Sequence, residues 1–160
     1  MRYTDSSFMS DQDDSKSVSG FIFILNGGAI CWKSSKKHTI VDSACEAEYI
    51  AASDAAKEVV WLRKFIGELG VAPSLKHPVP LYCDSTGAIA QAKEPRVHQC
   101  TKHILRHYHL VREIIDRGDI KLLKIDGKEN LADPFTKAIR IKEFDGYKWK
   151  MDIRYCSDWL

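Results

Sequence analysis

The chain has 160 residues, 24 basic and 22 acidic side chains, a net charge of +2, and 44% hydrophobic and 10% aromatic residues, which fits one well-cored domain. That balance excludes a disordered tail or a collagen-like rod. No run approaches the roughly 18 apolar residues of a membrane span, and Met1-Arg2-Tyr3-Thr4-Asp5 has no apolar signal region, so an intracellular, non-membrane protein is expected.

A very short first strand is expected to end near Asp5, followed by a polar loop over 6–17. Ser19-Gly20-Phe21-Ile22-Phe23-Ile24-Leu25 and Ala29-Ile30-Cys31-Trp32 flank Asn26-Gly27, a dipeptide that tolerates the positive φ angles of a tight hairpin turn. Lys33 to His38 are expected as a basic loop before Thr39-Ile40-Val41. Ser43-Ala44-Cys45-Glu46 has the form of a capping box and opens a long helix that runs to Leu69, with Gly70 as its stop. After the prolines 73, 78 and 80, Leu81-Tyr82-Cys83 forms a strand ending in Asp84, and Ser85 caps a short helix to Lys93.

Thr101 then opens a second long helix with the apolar stripe Ile104, Tyr108, Val111 and Ile115, closed by Gly118. Ile120 to Ile125 alternate as a strand, Asp126-Gly127 turns, and a last helix is expected to begin between Asn130 and Pro134. The order βββαβααβα describes an α/β protein with a hairpin at one end of a mixed sheet. Residues 1–140 are expected as one domain and 141–160 as a C-terminal extension without an assigned role.

Charge and cysteine placement narrow the chemistry. Between Gln91 and Arg117 lie six Lys or Arg, three acids and four of the six histidines, so this window is the basic side of the molecule. The five cysteines are odd in number and widely spaced, without C-x-x-C pairs, and encode neither a zinc site nor a disulfide framework. Buried or idle thiols are expected.

Four acids fall at element ends: Asp5, Glu48, Asp84 and Asp133. In an open α/β sheet, strand ends and adjoining helix starts gather at the rim where ligands bind. At about 100° per residue, Ala52, Ala55, Val59, Leu62 and Ile66 all fall within about 40° of Glu48, so Glu48 faces the sheet. Glu46 lies about 160° away and is expected to face water and serve the cap. An inward carboxylate is costly unless paired or bound to a metal, so Glu48 calls for a partner. Each of the others also has an ordinary reading: Asp5 as a strand-end acid, Asp84 as a cap, and Asp133 before Pro134 as an N-cap. Together, four oxygen donors without a Cys or His ligand set describe a site for hard cations.

Tyr3-Thr4-Asp5, the 13–20 approach to strand two, Gly27 to Trp32, Glu46-Ala47-Glu48-Tyr49-Ile50-Ala51-Ala52, Trp61-Leu62-Arg63, Tyr82-Cys83-Asp84, Arg96 to Ile104 and Asn130 to Lys137 occur in an order that resembles the ribonuclease H domain of copia-type LTR retrotransposons. The resemblance covers about residues 3 to 140. It implies a ribonuclease H-like three-layer fold, a mixed five-stranded sheet with helices on both faces, and hydrolysis of the RNA strand of an RNA/DNA hybrid during reverse transcription. It further implies Asp5, Glu48, Asp84 and Asp133 as the catalytic and metal-binding set, two Mg²⁺ ions with Mn²⁺ as substitute, and an upstream reverse transcriptase domain of the same polyprotein as partner. A cytoplasmic virus-like particle or the nucleus would be its location.

Departures are confined to neighbours of the acids. Ser7, Phe8 and Ser10 stand at the family's acidic, Trp and Gly positions, and Ser85 stands for its Asn. The loop 126–132 has no histidine, leaving Lys128 and Glu129 as the nearby proton-transfer candidates. Lys36, Lys37, Lys93, Arg96, Lys102 and Arg106 are the expected phosphate-binding cations, whereas His103 and His107 are expected to pack beside the apolar stripe. The alternatives are a catalytically decayed domain that retains fold and basic face, or another nuclease or integrase on the same fold.

Overall fold

A computed structural model describes residues 1–10, 15–38, 40–70, 78–93 and 102–155, with the backbone alone of 102–108. The strands are β1 (Arg2–Ser7), β2 (Val18–Leu25), β3 (Gly28–Lys36), β4 (Val79–Cys83) and β5 (Ile120–Lys124); the helices are α1 (Ala44–Glu68), α2 (Thr86–Lys93), α3 (Lys102–Asp116) and α4 (Ile141–Lys150). Two short 3₁₀ turns, Gly127–Glu129 and Asp133–Phe135, fill the segment between β5 and α4.

The β2–β3 hairpin forms where the alternating apolar residues and Asn-Gly place it. Asn26 (φ 52°) and Gly27 (φ 90°) both occupy the left-handed region, as a two-residue turn matched to strand twist requires. Pairing extends from Leu25↔Gly28 to Val18↔Lys36, so Lys33–Lys36 continue β3 where a basic loop was expected. The reason is that a full-length β2 supplies hydrogen-bonding partners along that stretch, and Lys and Ser side chains suit an exposed sheet edge. β1 pairs antiparallel with β2 and parallel with β4, and β4 pairs parallel with β5, giving the order β3-β2-β1-β4-β5. Asp5 therefore stands on the central strand.

Both sheet faces are covered. Phe21, Phe23, Leu81, Ile120 and Leu122 pack against Tyr49, Ala52, Ala55, Ala56 and Val59 of α1, and against Val111 and Ile114 of α3. Alanines on the buried face of α1 admit close approach of helix to sheet. On the opposite face Tyr3, Ile22 and Ile24 pack with Leu131, Ala132 and Met151, supported by Phe135 and Tyr147. Residues 147–151 thus close that layer, and Ala29 N–H donates to the Met151 carbonyl at 3.2 Å.

The last helix departs from expectation. It begins at Ile141, and the Asp133-Pro134 pair opens only a single 3₁₀ turn. Asn130 accounts for this: its side-chain oxygen accepts the Ala132 N–H at 3.2 Å while its Nδ2 donates to the Thr4 carbonyl at 3.0 Å. Such side-chain bonds hold the backbone in turns and compete with helix propagation. No helix among the described residues is long and apolar enough to cross a membrane.

Candidate active site

The central strand delivers the first acid. Asp5 is fully buried, and its two carboxyl oxygens are held separately: Asn130 Nδ2 lies 3.4 Å from Oδ1, and the Thr136 hydroxyl donates to Oδ2. Thr136 Oγ1 also lies 3.1 Å from the Asp133 carbonyl oxygen. This strap reaches β1 because Gly20, paired with Asp5, has no side chain; a Cβ there would stand 2.6 Å from Phe135 Cβ and 3.0 Å from Thr136 Cγ2.

The second acid comes from the start of α1. Ser43 Oγ accepts the Glu46 N–H at 3.2 Å, and Glu46 Oε2 accepts the Asp42 N–H at 2.8 Å, so the capping role of Glu46 is present. Its expected exposure is not, since Glu46 is only 8% exposed. Val41, Ala47 and Ile50 pack with Phe8 at this end of the helix, and the bond from the Asp42 N–H ties the Glu46 carboxylate to the segment before it. Glu48 points to the sheet as its helical phase requires: Oε1 accepts the Ser6 N–H at 3.1 Å, and Oε2 lies 3.9 Å from Cys83 Sγ.

Asp84 follows the last residue of β4, and its backbone carbonyl receives a hydrogen bond from Lys124 Nζ. Ser85 then caps α2 by accepting the Ala88 N–H at 3.2 Å, which leaves the Asp84 carboxyl clear of the capping role. Gly127 leaves room for that carboxyl, because a Cβ there would lie 3.2 Å from Asp84 Oδ2. Asp133 opens the second 3₁₀ turn and pairs with Lys137 Nζ at 2.7 Å; the same Nζ lies 3.6 Å from Asp5 Oδ2.

These placements bring the acids together. Ligand oxygens of Asp5, Asp84 and Asp133 lie within 4.8 Å of one another, and so do ligand atoms of Glu48, Cys83 and Asp84. Asp84 belongs to both groups and links the four carboxylates into one cluster. Their mutual repulsion and burial are visible in protonation. Burial, then Asp84 and Asp133, push Asp5 up to about 6 against the lowering by Thr136 and Lys137. Glu48 is pushed up to about 9, first by burial and then by Asp5 and Asp84. Burial and the Glu48 charge push the Cys83 thiol up to about 12. Hard oxygen donors gathered in this way fit divalent cations.

The expected phosphate-binding cations divide. Lys36 is exposed at the end of β3 and Lys93 at the end of α2. Lys37 is drawn against α1 by Asp54, with its side chain 17% exposed. Arg96 and the side chains of Lys102, Arg106, His103 and His107 lie outside the described residues. Lys128 and Glu129 are exposed, and Lys128 lines a cleft of about 440 Å³ with Asp133, Glu143, Tyr147 and Lys150.

Sequence reasoning missed Cys83, Asn130, Thr136 and Lys137 as parts of this site. For the last three the signal was the Asn130 to Lys137 segment itself, whose polar residues flank Asp133 at short spacing. For Cys83 only its position next to Asp84 pointed here.

No family model matches the chain. It is 41% identical over 143 residues to the retrovirus-related Pol polyprotein from transposon TNT 1-94 of Nicotiana tabacum, covering 89% of this chain and 10% of that protein. The chain thus spans about a tenth of the length of that curated relative. Among solved structures, RNase H1 from Halobacterium salinarum NRC-1 superposes with a TM-score of 0.57 at 16% identity, covering 91% of this chain and 96% of the other. LC11-RNase H1 in complex with an RNA/DNA hybrid gives a TM-score of 0.58, also at 16% identity, over 84% and 91% of the two chains.

Proposed function

The chain is a homologue of retrotransposon Pol polyproteins and has the ribonuclease H fold, and from that premise we propose that it hydrolyses the RNA strand of RNA/DNA hybrids, using divalent cations held by Asp5, Glu48, Asp84 and Asp133. The observation that carries this reading is the convergence of the four carboxylates through the shared Asp84. A decayed domain has no reason to keep all four oriented on one another.

The residue types suit the task. Bound Mg²⁺, or Mn²⁺ in its place, supplies charge neutralisation at the scissile phosphate and acidifies the attacking water. Asp84, common to both ligand groups, would help to hold a cation at either of them. Asn130 and Thr136 fix the Asp5 carboxyl so that its orientation is set before substrate arrives. Glu48, its carboxyl pushed up to about 9 by burial, would have to give up a proton to serve as a ligand. The cleft beside Asp133, edged by Lys128 and Lys150, offers cations to the phosphate backbone. Lys36, Lys93, Arg96, Lys102 and Arg106 would extend that contact, independently of base sequence.

The remaining expectations belong to this proposal as well: two Mg²⁺ ions, an upstream reverse transcriptase segment as partner, and action within an intracellular virus-like particle or the nucleus. The test is cleavage of an end-labelled RNA/DNA hybrid by the wild-type chain beside Asp84→Asn, with folding checked by circular dichroism. Cleavage should require Mg²⁺ or Mn²⁺ and be lost in the folded variant. Intact RNA with the wild-type protein under both metals would end the proposal, and hybrid binding without cleavage would favour the decayed domain.

A further inference from the structure

One cation already stands among the acids. Lys137 Nζ lies 2.7 Å from Asp133 Oδ1 and 3.6 Å from Asp5 Oδ2, and these belong to two of the three acids whose oxygens converge within 4.8 Å. An ammonium at that range repels an incoming divalent ion and competes with it for the charge of the same two carboxylates. The surroundings decide which group yields. The Asp5 side chain is 1% exposed and that of Asp133 19%, whereas the Lys137 side chain is 43% exposed. Asp5 is also anchored, by Asn130 and Thr136. Lys137 is held by its backbone N–H, which donates to the Asp133 carbonyl at 3.1 Å, so its long side chain can swing out while the main chain stays.

We propose that Lys137 is a displaceable counter-ion: its ammonium neutralises Asp5 and Asp133 in the metal-free protein, is expelled when a divalent cation enters, and thereby sets a threshold on metal affinity. The proposal rests on the reading of the acid cluster as a metal site. Lys137 acts through the carboxylates and is a positioning residue. A purely structural ion pair makes the opposite prediction, because losing it would loosen Asp133 and weaken metal binding.

The experiment is calorimetric titration of Mg²⁺ into metal-free protein without nucleic acid, for wild type, Lys137→Met, Lys137→Arg and the surface control Lys142→Met, with thermal midpoints in chelator and in Mg²⁺. Removing a partly exposed pair should tighten Mg²⁺ binding about fivefold in Lys137→Met. The Mg²⁺-induced rise in its melting midpoint should grow accordingly. Lys137→Arg, which keeps the charge, should stay near the wild-type affinity, as should Lys142→Met. Equal or weaker Mg²⁺ binding by a folded Lys137→Met, or an equal gain in the Lys142→Met control, would overturn the proposal while leaving the metal site intact. Absence of Mg²⁺ binding by the wild type would instead remove the metal site, and the counter-ion role with it.

Discussion

Replacing Glu48 by glutamine should stabilise the metal-free protein while abolishing the proposed hydrolysis. Burial and the neighbouring Asp5 and Asp84 raise the Glu48 carboxyl from its ordinary 4.5 to about 9. A carboxyl with a raised folded pKa contributes fully below its unfolded value, and that contribution is lost as pH rises toward the folded one. At pH 7 the unfolded chain has ionised Glu48 and the folded chain has not. The 2.5 pH units above the ordinary value, at about 1.4 kcal/mol each, correspond to roughly 3 kcal/mol, or about 2 once the partial exposure of Glu48 is discounted. Glutamine has no such penalty and can still accept the Ser6 N–H through its Oε1. For a chain of this size about 2 kcal/mol raises the melting midpoint by roughly 4–8 °C. Melting followed by circular dichroism in chelator should show that gain at pH 7 and its disappearance near pH 4. Excess Mg²⁺ should close the gap, because it stabilises the wild type more than the variant. A Glu48→Gln protein less stable than wild type at pH 7 in chelator, or one shifted equally at pH 4, would refute the electrostatic account.

Other perturbations probe the strap and the cation requirement. Gly20→Ala would place a methyl 2.6 Å from Phe135 Cβ, and the strap must move away from β1 to admit it; a loss of about 1–3 kcal/mol in urea unfolding is expected, with weaker Mg²⁺ binding by the folded fraction. Asn130→Ala leaves the buried Thr4 carbonyl without that donor and should cost about 1–3 kcal/mol in the same measurement, whereas an exposed-site control such as Lys142→Ala should be neutral. Chelation should lower the melting midpoint more at pH 9 than at pH 6, because Asp5, at about 6, and Glu48, at about 9, ionise across that interval and repel without a cation. A chelator effect independent of pH would contradict the proposed crowding.

Local rules carried the sequence far into this fold. Asn26-Gly27, the Ser43 cap and Gly70 act through neighbouring residues, and they mark the hairpin and α1 where the structure has them. Helical phase separated Glu48 from Glu46 because one helix presents one face to the sheet. The same arithmetic misjudged Glu46, which is buried and whose Oε2 accepts the Asp42 N–H, a group outside the helix. The late start of the final helix was hidden for a similar reason: Asp133-Pro134 is a sound helix opening, but Asn130 and Thr136 spend their side chains on β1. Contacts between distant segments have no periodicity to read. Thus the four acids were legible as element ends, while the groups that orient and neutralise them were not.

The bond between Asp5 and Thr136 joins residues 131 positions apart, and that between Asp5 and Asn130 joins residues 125 apart. A nascent chain on the ribosome holds three of the acids long before it holds the clasp that orients the first. Assembly of the acid cluster is thereby latched to synthesis of the last fifth of these 160 residues, and a product truncated before Asn130 would lack both groups that hold the Asp5 carboxyl.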